Sequence, residues 1–143
     1  MRRNILIAAV VAVAAFVVFT SLRGIEQKHS GTGEFDAPDA ELQAIAALRA
    51  GKPTRFFLPA VADVPVNFLS TVDTTGGNSG SATLNGKGEF VGLLFDGTYD
   101  TIASDFLYDT VNTRSIHADV RYMLWVMSEV DGASHLVREM GVE

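Results

Sequence analysis

Ser79 stands in DTTGGNSGSATLNG, residues 73–86, with glycine two positions before it and immediately after it. A serine hydroxyl becomes a nucleophile only when a base takes its proton and when donors meet the charge that develops on the attacked carbonyl oxygen. In Gly76-Gly77-Asn78-Ser79-Gly80-Ser81 the backbone N–H groups of Gly77 and Ser79 are the candidate donors. A side chain at Gly77 would obstruct both the turn and the approach of a substrate carbonyl. The strand-to-helix elbow that requires Gly-x-Ser-x-Gly is excluded, because Ser81 replaces the last glycine and an extended run follows. Gly-Asn-Ser-Gly is also a common hairpin turn, so the tetrapeptide alone does not decide for catalysis. Three histidines are candidate bases. None reads as the base: His29 lies in a polar stretch as a solvated residue, His117 stands at the end of a strand two residues before Asp119, where His-x-Asp invites a catalytic reading that is not adopted, and His135 falls on the last helix as a surface or half-buried residue. With no cysteine, the chain has neither a thiolate nucleophile nor a thiolate metal site, and no metal or other cofactor is expected.

The elements that must position Ser79 are legible in outline. PDAELQAIAALRAG, residues 38–51, opens with proline, carries acids in its first turn and Arg49 in its last, and stops at Gly51, which predicts a helix. Its expected buried stripe is Leu42, Ile45, Ala46 and Leu48. From Val66 the pattern becomes extended. VNFLSTV, SATLN, EFVGLLF and FLYDTVNTRSIHADV read as antiparallel strands joined by tight loops, with Ser79 between one ending near Val72 and one starting near Ala82. DVRYMLWVMSEV then predicts a helix capped by Asp119, with Val120, Met123, Leu124 and Met127 on one face, and ASHLVREM a second. No internal repeat is present.

A net charge of −6 over 143 residues leaves no basic field for a phosphate backbone, so nucleic acid is not an expected partner. The length suits one folded domain. At the start, Arg2 and Arg3 precede ILIAAVVAVAAFVVFTSL, an uncharged run long enough for a spanning helix. Residues 1–23 are therefore expected to be a signal peptide or a membrane anchor, the latter holding the membrane through residues 5–22, and both alternatives stay open. Either way the rest is expected to be exported, periplasmic or anchored facing the periplasm. Residues 24–37, polar and aperiodic, read as a linker, and 38–143 as the folded domain.

VNFLSTVDTTGGNSGSATLNGKGEFVGLLFDG, SIHADVRYMLWV and HLVREM together resemble the bacterial serine dipeptidyl-peptidases, exported chymotrypsin-like enzymes that remove dipeptides from free N-termini. The resemblance runs from about Thr32 to the end and covers only the C-terminal part of that family. It implies a mainly β fold with helices: one chymotrypsin-like antiparallel β barrel, half of a double barrel, with a preceding helix and C-terminal helices, after an N-terminal hydrophobic helix. It implies that Ser79 is the nucleophile and that the Gly77 and Ser79 amides form the oxyanion hole. It further implies that Asp96 holds the substrate's free α-ammonium and that Gly97 lies in the pocket for the residue before the cleaved bond. Glycine there resembles members that accept apolar side chains, whereas arginine marks those that prefer acidic ones. A carboxylate about 4 Å from an ammonium gains roughly 4 kcal/mol in gross terms at an effective dielectric of about 20, enough to fix which peptide bond reaches the serine. Asp96-Gly97 is equally a hairpin-turn signal, and that alternative stays open. Two departures from the family pattern bear on the serine loop, Ala82 for a proline and Val72 for a polar residue.

The family's base and its orienting acid belong to an N-terminal barrel that these 143 residues do not resemble. The expected partners are therefore a peptide substrate and either a second chain supplying His and Asp or a second copy forming a homodimer. The competing expectations are a truncated peptidase carrying the nucleophile half, with an apolar preference, and an inactive membrane-anchored peptide-binding module or remnant.

Overall fold

The computed structural model describes residues 17–28 and 36–142. Among the described residues five strands form one antiparallel sheet: β1 (Val17–Ser21), β2 (Pro65–Ser70), β3 (Ala82–Leu84), β4 (Phe90–Gly97) and β5 (Ser115–Asp119). Their spatial order is β1-β2-β5-β4-β3, and β1 and β3 are the two edges among the described residues. The described residues also form four helices: α1 (Leu22–Lys28), α2 (Asp39–Arg49), α3 (Val120–Trp125), which runs on into a π-helical turn at Val126–Val130, and α4 (Ser134–Glu139). A 3-10 turn, Tyr99–Ala103, follows β4. The mainly antiparallel sheet with helices agrees with the expected fold class; the expected barrel takes the form of this open sheet in the described residues.

The N-terminal expectation changes where it can be seen. Residues 17–21 form a strand, with Val18 opposite Phe68 and Ser21 opposite Pro65, and Leu22 starts a helix and is fully buried. A wholly apolar run fits a buried strand as well as a helix, and length favours the helix only while nothing pairs with it. The expected anchor or signal otherwise falls on residues 1–16, outside the described residues, and no described helix is long and apolar enough to cross a membrane. The expected linker likewise begins as α1 up to Lys28.

The apolar core sits at the helical end: Leu22, Ile45, Phe56, Val64, Leu124, Trp125, Val137 and Val142 pack together. In α2 the buried positions are Glu41 and Ile45, with Ala44 and Leu48 against the core, while Ala46 faces solvent. The stripe is thus rotated from the expected one, because Glu41 is drawn inward by the Tyr122 hydroxyl, which donates to its carboxylate at 2.8 Å. Asp119 caps α3 as expected, accepting from the Arg121 amide at 2.9 Å.

The sheet buries a polar face. Along β5 every second residue points inward, and these are Ser115, His117 and Asp119, each no more than 1% exposed. Ser115 donates to Val72 O and is bonded to Thr74 Oγ1, so it ties the chain entering the serine loop to β5. The expected strand over residues 106–114 is instead a set of turns, organised by Asp109, whose carboxylate accepts from the amides of Val111 and Asn112.

Candidate functional site

Between β2 and β3 the chain makes a compact loop. The Asn78 side chain accepts from the Thr75 amide at 2.9 Å, the Asn78 amide donates to Thr75 O at 3.2 Å, and the Ser81 amide donates to Asn78 O at 2.9 Å. Gly77 adopts φ +94° and Gly80 φ +86°, left-handed conformations that L side chains rarely enter, so the sequence needs glycine at both. The middle amide of the turn is thereby consumed. Those of Gly77 and Ser79, on either side, donate to no acceptor among the described residues.

The loop is fastened to β4 by main-chain bonds. Gly80 N–H donates to Leu94 O at 2.7 Å, and Leu94 N–H donates to Ser81 O at 3.0 Å. Just beyond, the pairing of β4 with β5 slips: Leu94 faces His117 and Asp96 faces Ile116, which leaves Phe95 as an extra residue. Such a bulge re-aims the side chains around it. Phe95 and Asp96 are both exposed, and the Ser79 hydroxyl reaches Phe95 O at 3.5 Å, a weak contact that leaves it open to solvent.

A cleft of about 230 Å³ opens here, with Ser79, Asp96, Gly97, Thr101, Ile102 and Asp105 among its lining residues. Three of the four residues singled out from the sequence, Ser79, Asp96 and Gly97, thus share one cavity; Gly77 lies in the adjoining turn. Asp96 is exposed, with one carboxylate oxygen accepting from the Gly97 amide at 2.8 Å and the other free to meet a cation. The residues that sequence reasoning missed are Thr75, Thr101 and Asp105. Thr75 donates its hydroxyl to the Asp105 carboxylate, which links the serine loop to the segment after β4. Thr101, three residues after Thr98, carries a recognisable hydroxyl-turn spacing, whereas nothing in the sequence marks Asp105.

No histidine lines the cleft among the described residues. His117 is 1% exposed in the interior, between Ser70 and Thr83, and stacks on Phe68. His135 is exposed on α4 and is not among the lining residues, and His29 lies outside the described residues. Asp119 does not orient His117; its carboxylate is engaged by the Arg121 guanidinium at 2.7 and 2.8 Å. The geometry therefore offers an exposed hydroxyl, two unclaimed amides and a carboxylate, with no imidazole beside them in the described residues.

Comparison with known proteins adds what geometry cannot. The family model described as Peptidase S46 matches residues 13–142. An Asp/Glu-specific dipeptidyl-peptidase of Shewanella putrefaciens is 43% identical over 85% of this chain and 19% of its own length. Dipeptidyl-peptidase 7 of Phocaeicola vulgatus is 38% identical over 87% of this chain and 17% of its own. A crystal structure of DPP11 from Porphyromonas endodontalis in complex with the dipeptide Arg-Asp superposes with a TM-score of 0.77 at 29% identity, covering 96% of this chain and 19% of that one. The chain thus spans about a fifth of the length of these relatives.

Proposed function

The chain belongs to the peptidase S46 family, and we propose that it carries the nucleophile and the amine-recognition subsite of a serine-type dipeptidyl-peptidase, in a sheet that forms one half of a chymotrypsin-like double barrel. The observation that carries this is the loop of Ser79: an exposed hydroxyl flanked by the two N–H groups, of Gly77 and Ser79, that have no acceptor among the described residues. Those amides would receive the oxygen of the attacked carbonyl, and Ser79 Oγ would form the acyl bond while the amine of the departing chain leaves protonated. Asp96 would hold the substrate's α-ammonium, and its place on β4, two residues after the main-chain bonds to the serine loop, supports a fixed spacing between amine and scissile bond.

The pocket beside Gly97 would take the residue before the cleaved bond. Leu94, Phe95 and Ile102 give it apolar wall, and the charges lining it among the described residues are the carboxylates of Asp96 and Asp105. An acidic side chain would meet like charge there, so the proposed preference is apolar. The Shewanella relative, named as Asp/Glu-specific, makes this a sharp comparison. A base and its orienting acid would come from outside the described residues, from a second chain or from a further part of a longer one.

One observation favours a second reading, that this chain binds peptide N-termini without cutting them: the imidazole of His117 is sealed in the interior. Calorimetric titration with a free dipeptide and its N-acetyl analogue tests the binding half that both readings share. The expected result is that acetylation or Asp96→Asn lowers affinity about tenfold or more, as removal of one partner of a close charge pair does. Equal affinity for the acetylated ligand would remove Asp96 from amine recognition. The alternatives then separate on labelling by a fluorophosphonate, since reaction at Ser79 that is lost in Ser79→Ala requires an assembled base.

A further inference from the structure

We propose that Thr101 sets the depth of the pocket that receives the side chain before the cleaved bond; this rests on the assignment of Gly97 to that pocket made above. Read by itself, a glycine at 97 suggests vacant space. The packing shows the space already filled. A Cβ built on Gly97 would lie 2.8 Å from Thr101 Cγ2, 2.9 Å from its Cβ and closer still to Oγ1, nearer than real side-chain carbons come. Thr101 therefore occupies the volume that the missing side chain of Gly97 gives up.

The plug is held firmly. Thr101 Oγ1 donates to Thr98 O at 2.5 Å, and its amide donates to the same carbonyl at 2.8 Å. Its own carbonyl accepts from the Ser104 amide at 3.0 Å and the Ser104 hydroxyl at 2.6 Å. A β-branched side chain has few rotamers, and this one cannot turn its methyl aside without giving up the bond to Thr98. Both Gly97 and Thr101 line the cleft that contains Ser79. Positions 97 and 101 thus act as a pair: a small residue at one is matched by a branched residue at the other, and specificity is read from both.

Calorimetric titration of the full 143-residue chain with Ala-Ala, Ala-Leu and Ala-Phe tests the pairing. In Thr101→Ala, the affinity for Ala-Phe relative to Ala-Ala is expected to rise about tenfold or more, the scale on which apolar pockets discriminate small differences in size. Thr101→Val, which keeps the shape and loses the hydroxyl, is expected to keep the parent ratio. Thr101→Ser, which keeps the hydroxyl and loses the methyl, replaces Thr101→Ala if that variant does not melt cooperatively. An unchanged ratio with dipeptides still bound overturns the proposal and leaves the pocket assignment standing. If none of the three dipeptides binds the parent chain, the assignment fails and this proposal with it. Stability gives a readout free of ligand: Gly97→Ala is expected to lower Tm in the parent and to be tolerated in Thr101→Gly, and simple additivity of the two would show that the contact does not exist.

Discussion

The imidazole of His117 is held by Ser70 Oγ at 2.6 Å and Thr83 Oγ1 at 2.7 Å, one on each ring nitrogen. Burial disfavours its charged form and holds its pKa below the ordinary value. The unfolded chain takes up a proton near pH 6.5, whereas the folded one does so only at lower pH. Stability contributed by the neutral ring is therefore complete above pH 6.5 and is lost as pH falls toward the folded-state value. Urea unfolding at pH 7.5 and 5.5 is expected to show lower stability at 5.5, and His117→Gln to flatten that difference; a slope unchanged in the variant would assign the effect to other groups. This residue also shows where sequence reading ran out. A strand is expected to hide apolar side chains and show polar ones, but β5 hides Ser115, His117 and Asp119, and only the hydroxyls and the guanidinium arriving from β2, β3, Thr74 and Arg121 make that tolerable. Those partners are distant in sequence, except Arg121, so pattern alone could not show them. Ser79, Asp96 and Gly97, which meet in one cleft, could be singled out because local turn chemistry and the family motif mark them; Thr101 and Asp105 could not, because their places in that cleft arise from contacts between segments.

At the scale of elements, α1, α2 and the turn before β2 are joined by one cluster of charges. Asp63, fully buried, accepts from Arg49 at 3.0 and 3.1 Å, from the Arg23 amide at 3.0 Å and from the Val64 amide at 2.9 Å, while Arg49 also reaches Glu26 at 2.9 Å. Burial alone would raise the Asp63 pKa, yet the donors, led by Arg49, outweigh it and leave it below the ordinary carboxylate value. Asp63→Asn is expected to cost roughly 3 kcal/mol in urea unfolding, because it breaks the ion pair with Arg49 and turns one oxygen of a fully buried acceptor into an amide donor facing other donors. A loss under about 0.5 kcal/mol would mean that the cluster is solvated in practice. The helices were legible from their own ends, Pro38 and Arg49 for α2 and Asp119 for α3. β1 was hidden, since its pairing with β2 crosses some fifty residues of chain, and an apolar run carries no periodicity to announce it.

For the molecule as a whole, the core and the cleft lie apart: the helices pack on Trp125 and Phe56, while Ser79 sits on the loop between β2 and β3, fastened to β4. The proposed binding would draw on the sheet and the serine loop, whereas proton transfer needs a group that the described residues do not place there. Incubated by itself with a fluorogenic dipeptidyl amide, the chain is expected to show no more than the residual acceleration of about 10³ to 10⁴ over water that survives loss of triad members. Turnover at ordinary enzymatic rates, abolished by Ser79→Ala, would locate a base within these 143 residues and overturn the division of labour. The paired bonds between Gly80, Ser81 and Leu94 carry a last consequence. They are made by peptide groups, which a change of side chain at Ser81 or Leu94 leaves in place so long as Gly80 stays glycine, so the span from hydroxyl to carboxylate is a property of the thread and not of its beads. A lineage could then change its taste in side chains many times over and still count to the same number.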